Sequence, residues 1–84
     1  MTLTIIASVD GKEKAANPYN TAETFGTLLD FREHGEGTVR YLMDNREFRQ
    51  VTVAELKKLT DQQLFAEALH ALCVDVFTSR PFTE

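Results

Sequence analysis

The sequence lacks several features that small functional domains depend on. It has no tryptophan, a single cysteine and four glycines among 84 residues, so its core must rest on six phenylalanines, two tyrosines and aliphatic side chains. Because Cys73 is the only cysteine, an intramolecular disulfide is excluded, and with it the disulfide-stabilised class of small domains. The glycines never form a phosphate-binding loop, so nucleotide binding has no support. We expect no cofactor.

Long hydrophobic runs are also missing, and the 9 lysines and arginines are outnumbered by 13 acidic residues. No apolar run approaches the ~18 residues of a membrane span, and residues 1–8 lack the basic start and the apolar length of a signal peptide. These absences predict a cytoplasmic protein. A net charge of −4 disfavours a nucleic-acid partner, since phosphate binding usually needs a basic face. The length predicts one domain over residues 1–84.

Three predicted strands border two predicted turns. The predicted strands are Leu3–Val9, Thr38–Met43 and Glu47–Val51, which are rich in β-branched or aromatic residues. Asp10-Gly11 and Asp44-Asn45 suit tight turns, because these residues tolerate positive φ. The second turn predicts a hairpin. Whether Lys12–Ala16 returns as a strand after the first turn is left open by its poor alternation.

The middle of the chain predicts a helix from Thr21 to Glu33, capped by Asn20. Gly35 is predicted to end it at positive φ. The expected buried face consists of Ala22, Phe25, Leu28, Leu29 and the stem of Arg32.

Two capping boxes mark the helices of the C-terminal half. Thr52–Glu55 opens a short helix that ends near Leu59, and Thr60–Gln63 opens a long one that ends near Ser79. The two could also form a single kinked helix. Apolar residues of the long helix follow the helical period at Leu64, Phe65, Ala68, Leu69, Leu72, Cys73, Val76 and Phe77.

These elements predict an α+β fold, in which a small antiparallel sheet of two to four strands packs against the middle helix and the long C-terminal helix. If Phe65 and Leu69 are buried, replacing either with alanine should cost roughly 2–5 kcal/mol.

No residue pattern predicts a catalytic or metal site. His70 and Cys73 are neighbours on the long helix, but a zinc site needs three or four ligands, and only His34 could add a nitrogen. Cys73 lies on the apolar stripe and is interpreted as a core residue. The acidic residues are scattered over predicted polar faces. We therefore expect no enzymatic activity.

Two regions could contact a partner protein. The C-terminal segment places Arg80 and Phe82 beyond the long helix, where the phenylalanine either folds back onto the core or forms a contact. The predicted hairpin carries Arg40, Arg46 and Arg49. These arginines either protect a free sheet edge from aggregation or bind an acidic partner.

The order of motifs resembles a known family. Val9-Asp10-Gly11-Lys12, a capped helix, a strand ending in Met43-Asp44-Asn45 and a helix opened by residues 51–56 follow one another. This order is similar to a small domain of unknown function found in tailed bacteriophages and prophages, near or inside tail-fibre and tail-assembly proteins. The resemblance covers roughly Ser8 to Arg80.

The resemblance implies a phage or prophage protein that acts in a bacterial cytoplasm or on the virion. It implies no catalytic residues, and favours contact with another protein, such as a tail component. Two other functions stay open: an inhibitor of a host defence or regulatory protein, and a small enzyme or enzyme subunit. A symmetric homodimer also stays open, because an apolar helix face too wide for one protomer to cover would favour one.

Overall fold

The computed structural model describes the backbone of residues 2–76 and the side chains of residues 2–72. The elements in this range are β1 (Leu3–Val9), β2 (Lys12–Ala16), α1 (Thr21–His34), β3 (Gly35–Met43), β4 (Arg46–Thr52), α2 (Val53–Lys57) and α3 (Asp61–Val76). The strands form one antiparallel sheet in the order β2-β1-β3-β4. The predicted α+β fold is confirmed, and Lys12–Ala16 is a strand.

One face of the sheet supplies the core. Alternate residues of β1, from Leu3 to Val9, are buried, whereas the residues between them are only half-buried. The buried set packs in one cluster with Leu28 of α1, Leu56 of α2 and Leu64 of α3. The helices therefore cover one face of the sheet, and the opposite face stays uncovered by any described element.

Local chemistry sets the turns. Asp10 and Gly11 have φ of 55° and 77°, and Asp44 and Asn45 have φ of 51° and 69°. Positive φ at both central residues is the type I′ geometry, whose twist matches that of the flanking strands. Both predicted turns are confirmed.

Caps set the helix starts. The Asn20 side chain accepts from the backbone N–H of the third helical residue at 2.9 Å. Thr52 with Glu55, and Thr60 with Gln63, each exchange two backbone-to-side-chain hydrogen bonds. Both capping boxes are confirmed, and α2 and α3 are separate helices.

The buried face of α1 differs from the predicted one. The buried residues are Thr24, Leu28 and Phe31, while Ala22 is exposed and Phe25 and Leu29 are only partly buried. Burial of Thr24 is tolerated because its hydroxyl donates to the Asn20 carbonyl at 2.8 Å. Thr24 is therefore buried at a position where the hydrophobic pattern predicts burial of Phe25 instead.

The predicted stripe of α3 was too wide. Leu64, Ala68 and Ala71 are buried, but Phe65 and Leu69 are each 42% exposed. Successive helical residues point about 100° apart, so a helix that buries Leu64 turns the side chains of Phe65 and Leu69 outward. The side chains of Cys73, Val76 and Phe77, and the helix end predicted near Ser79, lie outside the described residues.

Gly35 was predicted to end α1 at positive φ, and this is wrong. Its φ is −74° and its ψ 162°, so it is extended and begins β3. A Cβ at this position would lie 2.5 Å from the Phe31 carbonyl oxygen and 3.2 Å from a Val53 methyl. The position needs glycine because the Phe31 carbonyl and the Val53 side chain leave no room for a Cβ, and not because of its dihedral angles.

Candidate protein-binding surfaces

Helices α1 and α3 lie side by side and run in opposite directions. Arg32, near the end of α1, forms an ion pair of 2.9 Å with Asp61 at the start of α3. Phe25, near the start of α1, meets Phe65 edge-on, with ring centroids 5.4 Å apart. This pairing fixes which residues of the two helices share the outer surface.

Five uncharged residues share that surface, which we call the α1–α3 face. They are Ala22, Phe25, Leu29, Phe65 and Leu69. Spacings of three and four residues place the members on one side of each helix, and the Phe25–Phe65 contact joins the two sides. Exposed adjoining apolar side chains of this kind mark interaction sites more often than isolated ones do.

Beyond this face lies a further exposed aromatic residue. Tyr19 is 90% exposed. It borders a pocket of ≈ 240 Å³ whose other walls include Asn17, Met43 and Leu72. Because Leu72 belongs to α3 and Tyr19 precedes α1, the pocket lies at the end of the helix pair opposite the Arg32–Asp61 ion pair.

Arg40 lies on the uncovered face of the sheet, where its side chain belongs to a polar network. Its Nε donates to Glu47 at 2.7 Å, Gln50 donates to the same carboxylate at 2.8 Å, and Glu13 lies 3.9 Å away. The hydrogen bond from Arg40 lowers the pKa of Glu47 below its ordinary value. Since β3 is an interior strand, Arg40 cannot protect a sheet edge, as one of the two interpretations assumed.

Arg49 and Arg46 lie on the edge strand β4 in different settings. Arg49 binds both carboxylate oxygens of Glu67 on α3, at 2.8 and 3.1 Å, and so ties the strand to the helix. Arg46 is exposed and follows the β3–β4 turn. Among the described residues, Arg46 makes no ion pair, which leaves its guanidinium accessible to a partner. Arg80 and Phe82 lie outside the described residues.

Tyr41 is buried under the Arg49–Glu67 pair. It is fully buried, its ring packs edge-on against Phe48 at 6.1 Å, and its hydroxyl makes no well-formed hydrogen bond within the described part of the chain. Burial raises the pKa of the Tyr41 hydroxyl above its ordinary value, and the nearby Glu67 carboxylate raises it further. The fold therefore favours the neutral phenol.

Burial of the Tyr41 hydroxyl predicts that the folded protein loses stability at alkaline pH. A raised pKa in the folded state contributes stability that is complete below the ordinary tyrosine pKa of about 10 and is lost as pH rises above it. Tyr41→Phe should change the free energy of unfolding at pH 7 by less than ~1 kcal/mol, and should weaken its decline between about pH 9 and 11. Urea titrations across this range test the prediction, with Tyr19→Phe as control. An unchanged pH dependence in Tyr41→Phe would contradict the burial of the hydroxyl.

The described residues offer no assembled metal site. His70 is exposed on α3, and no three His, Cys, Asp or Glu side chains of the described range come together to hold an ion. No helix in residues 2–76 is both long and apolar enough to cross a membrane. The Cys73 side chain lies outside this range.

Comparison with known proteins gives no relative. No protein-family model, no curated protein and no solved structure matches this chain.

Proposed function

We propose that this protein acts by binding another protein through the α1–α3 face and performs no catalytic step itself. The observation that carries the proposal is the exposure of Phe65 and Leu69, together with the contact between the rings of Phe65 and Phe25. Covering these side chains with a partner would be favourable, because each Å² of apolar surface removed from water contributes about 25 cal/mol to the free energy of binding.

The shape of the face suggests what it would bind. Two antiparallel helices with small Ala22 at one side and the two phenylalanine rings between them form a surface suited to an apolar helix of the partner. Aromatic residues near the centre of an interface commonly carry much of its binding energy. Phe65 and Leu69 are thus the residues expected to contribute most.

The biological setting of this contact is proposed from the motif resemblance. Residues 8–80 follow the order of motifs found in the phage and prophage domain, so the proposed partner is a component of tail assembly. Contact without chemistry also suits the described side chains, where Arg40, Arg49 and Glu67 are engaged in intramolecular ion pairs.

Affinity capture from phage-producing cells tests this proposal with matched variants. Leu69→Asp should reduce recovery of a tail component at least about tenfold, because it places a charge in an apolar contact. Ala54→Asp adds the same charge to an exposed position of α2 and should leave recovery unchanged. Failure to recover any tail component with the wild-type protein would contradict the phage assignment.

Light scattering tests whether the α1–α3 face is covered by a second copy of this chain. We expect the purified protein to be monomeric at micromolar concentration. A dimer that Leu69→Asp dissociates and Ala54→Asp preserves would show that a second copy, and not a different protein, covers the α1–α3 face.

A further inference from the structure

Strand β2 forms one edge of the sheet and lies apart from the α1–α3 face. It pairs with β1 alone, and its residues are exposed except for the half-buried Ala16. A strand with one unpaired side is a template for another strand, and the exposed charges of Lys12, Glu13 and Lys14 restrict which segments can pair with it. No described element covers this edge.

The β1–β2 turn determines which backbone groups of β2 face outward. The turn has two residues, and Val9 pairs with Lys12 directly beside it. In such a hairpin, the pair that flanks the turn is hydrogen-bonded and the pairs then alternate. The N–H and C=O groups of Glu13 and Ala15 consequently point away from β1.

A groove runs between this edge and α1. It has a volume of ≈ 440 Å³ and is lined by Lys14, Ala15 and Ala16 on one side and by Gly26, Thr27 and Asp30 on the other. The buried ring of Phe31 also contributes to its lining. Gly26 leaves the helix wall open, because a Cβ there would meet no atom within 4 Å. The groove thus has room for the side chains of an added strand.

The helix wall of the groove is acidic. Glu23 and Asp30 both line it, and opposite them stands one cation, Lys14. The Glu23 carboxylate already accepts the Tyr19 N–H at 2.8 Å. Asp30 is exposed and makes no side-chain hydrogen bond within the described residues. Its charge is therefore available to a basic residue of the occupant.

We propose that an extended, basic segment of a partner protein adds to β2 as a fifth strand, between this edge and α1. The backbone of Glu13 and Ala15 would bond the segment, small apolar side chains would face Gly26 and Phe31, and a lysine or arginine would reach Asp30. Strand addition of this kind takes its affinity from main-chain bonds and its specificity from alternate side chains. This site adjoins the α1–α3 face along α1 but uses different residues.

Hydrogen exchange with a defined peptide tests the proposal. The probe is the acetylated hexapeptide Val-Thr-Lys-Thr-Val-Thr, whose valines and lysine lie on the same face of a strand, and the control peptide has glutamate in place of the lysine. At saturation, the lysine peptide should slow exchange of the Glu13 and Ala15 amides about tenfold or more, with no slowing on α3. The glutamate peptide should leave both amides unchanged. Absence of slowing at these two amides with the lysine peptide would overturn the proposal.

Three variants give the structural control. Ala15→Pro removes an outward N–H without breaking the β1–β2 ladder and should abolish protection of Glu13, whereas Ala15→Val should retain it. Asp30→Lys should transfer binding from the lysine to the glutamate peptide. Protection that persists in Ala15→Pro, or a preference that Asp30→Lys leaves unchanged, would contradict strand addition in the groove. Thermal melts confirm that each variant is folded.

Discussion

Replacement of Leu64 by alanine is expected to lower the free energy of unfolding by about 2–5 kcal/mol, which is a large part of the stability of a small domain. Leu64 is fully buried in the cluster that joins α3 to the sheet. Its removal loses the transfer free energy of the side chain and leaves a cavity. Chemical denaturation at 25 °C measures the loss.

Leu69→Ala is the matched control on the same helix. Leu69 is 42% exposed, so its truncation should cost about 1 kcal/mol or less. A large loss at Leu69 or Phe65 would require burial that the structure does not show. Equal losses for Leu64→Ala and Leu69→Ala would contradict the orientation of α3.

Gly35→Ala is expected to destabilise the protein by about 1–3 kcal/mol. The added methyl would lie 2.5 Å from the Phe31 carbonyl oxygen, which belongs to the backbone and cannot rotate away. Either α1 loses its last hydrogen bond, which Gly35 N–H donates to that oxygen, or β3 moves away from α2. Thermal and urea unfolding of the variant measure the effect.

Gly26→Ala is the matched control, and it is expected to raise the free energy of unfolding instead of lowering it. Gly26 lies on the exposed side of α1, where an added Cβ meets nothing within 4 Å. Alanine at such a helical position should stabilise by roughly 0.5–1 kcal/mol, because glycine loses more backbone freedom on folding. A stabilising or neutral Gly35→Ala would contradict the close approach at the α1–β3 junction.

The features that sequence predicted correctly depend on nearest neighbours. Asp44-Asn45 makes its turn through the φ values that these two residues tolerate. Thr52 and Glu55 satisfy each other's backbone across three residues. Such interactions are complete within a few residues, so they are visible before the tertiary structure is known.

The orientation of the helices could not be predicted in the same way. Periodicity identifies Leu64, Phe65 and Leu69 as apolar, but only the packing of α3 against α1 and the sheet decides which of them is covered. The only indication in the sequence was that the apolar stripe of α3 is wider than one buried helix face. The residues left over on its outer side now form part of the α1–α3 face.

Long-range pairs explain why the intramolecular partners of the arginines could not be predicted from sequence. Arg49 and Glu67 are 18 residues apart, and nothing in the sequence around either one indicates their ion pair. The same holds for Arg40, whose strand proves to be interior because β1 pairs with β3. The edges of the sheet are β2 and β4, and β2 carries the groove beside α1.

Site-specific photo-cross-linking tests the central claim most directly. A benzoylphenylalanine at position 69 would sit on the α1–α3 face, and the same residue at position 54 would sit on exposed α2. In phage-producing cells, we predict a discrete adduct with a tail component from position 69, loss of this adduct in Phe65→Ser, and none from position 54. Equal labelling from both positions, or no adduct from position 69, would contradict the claim that this face binds the partner.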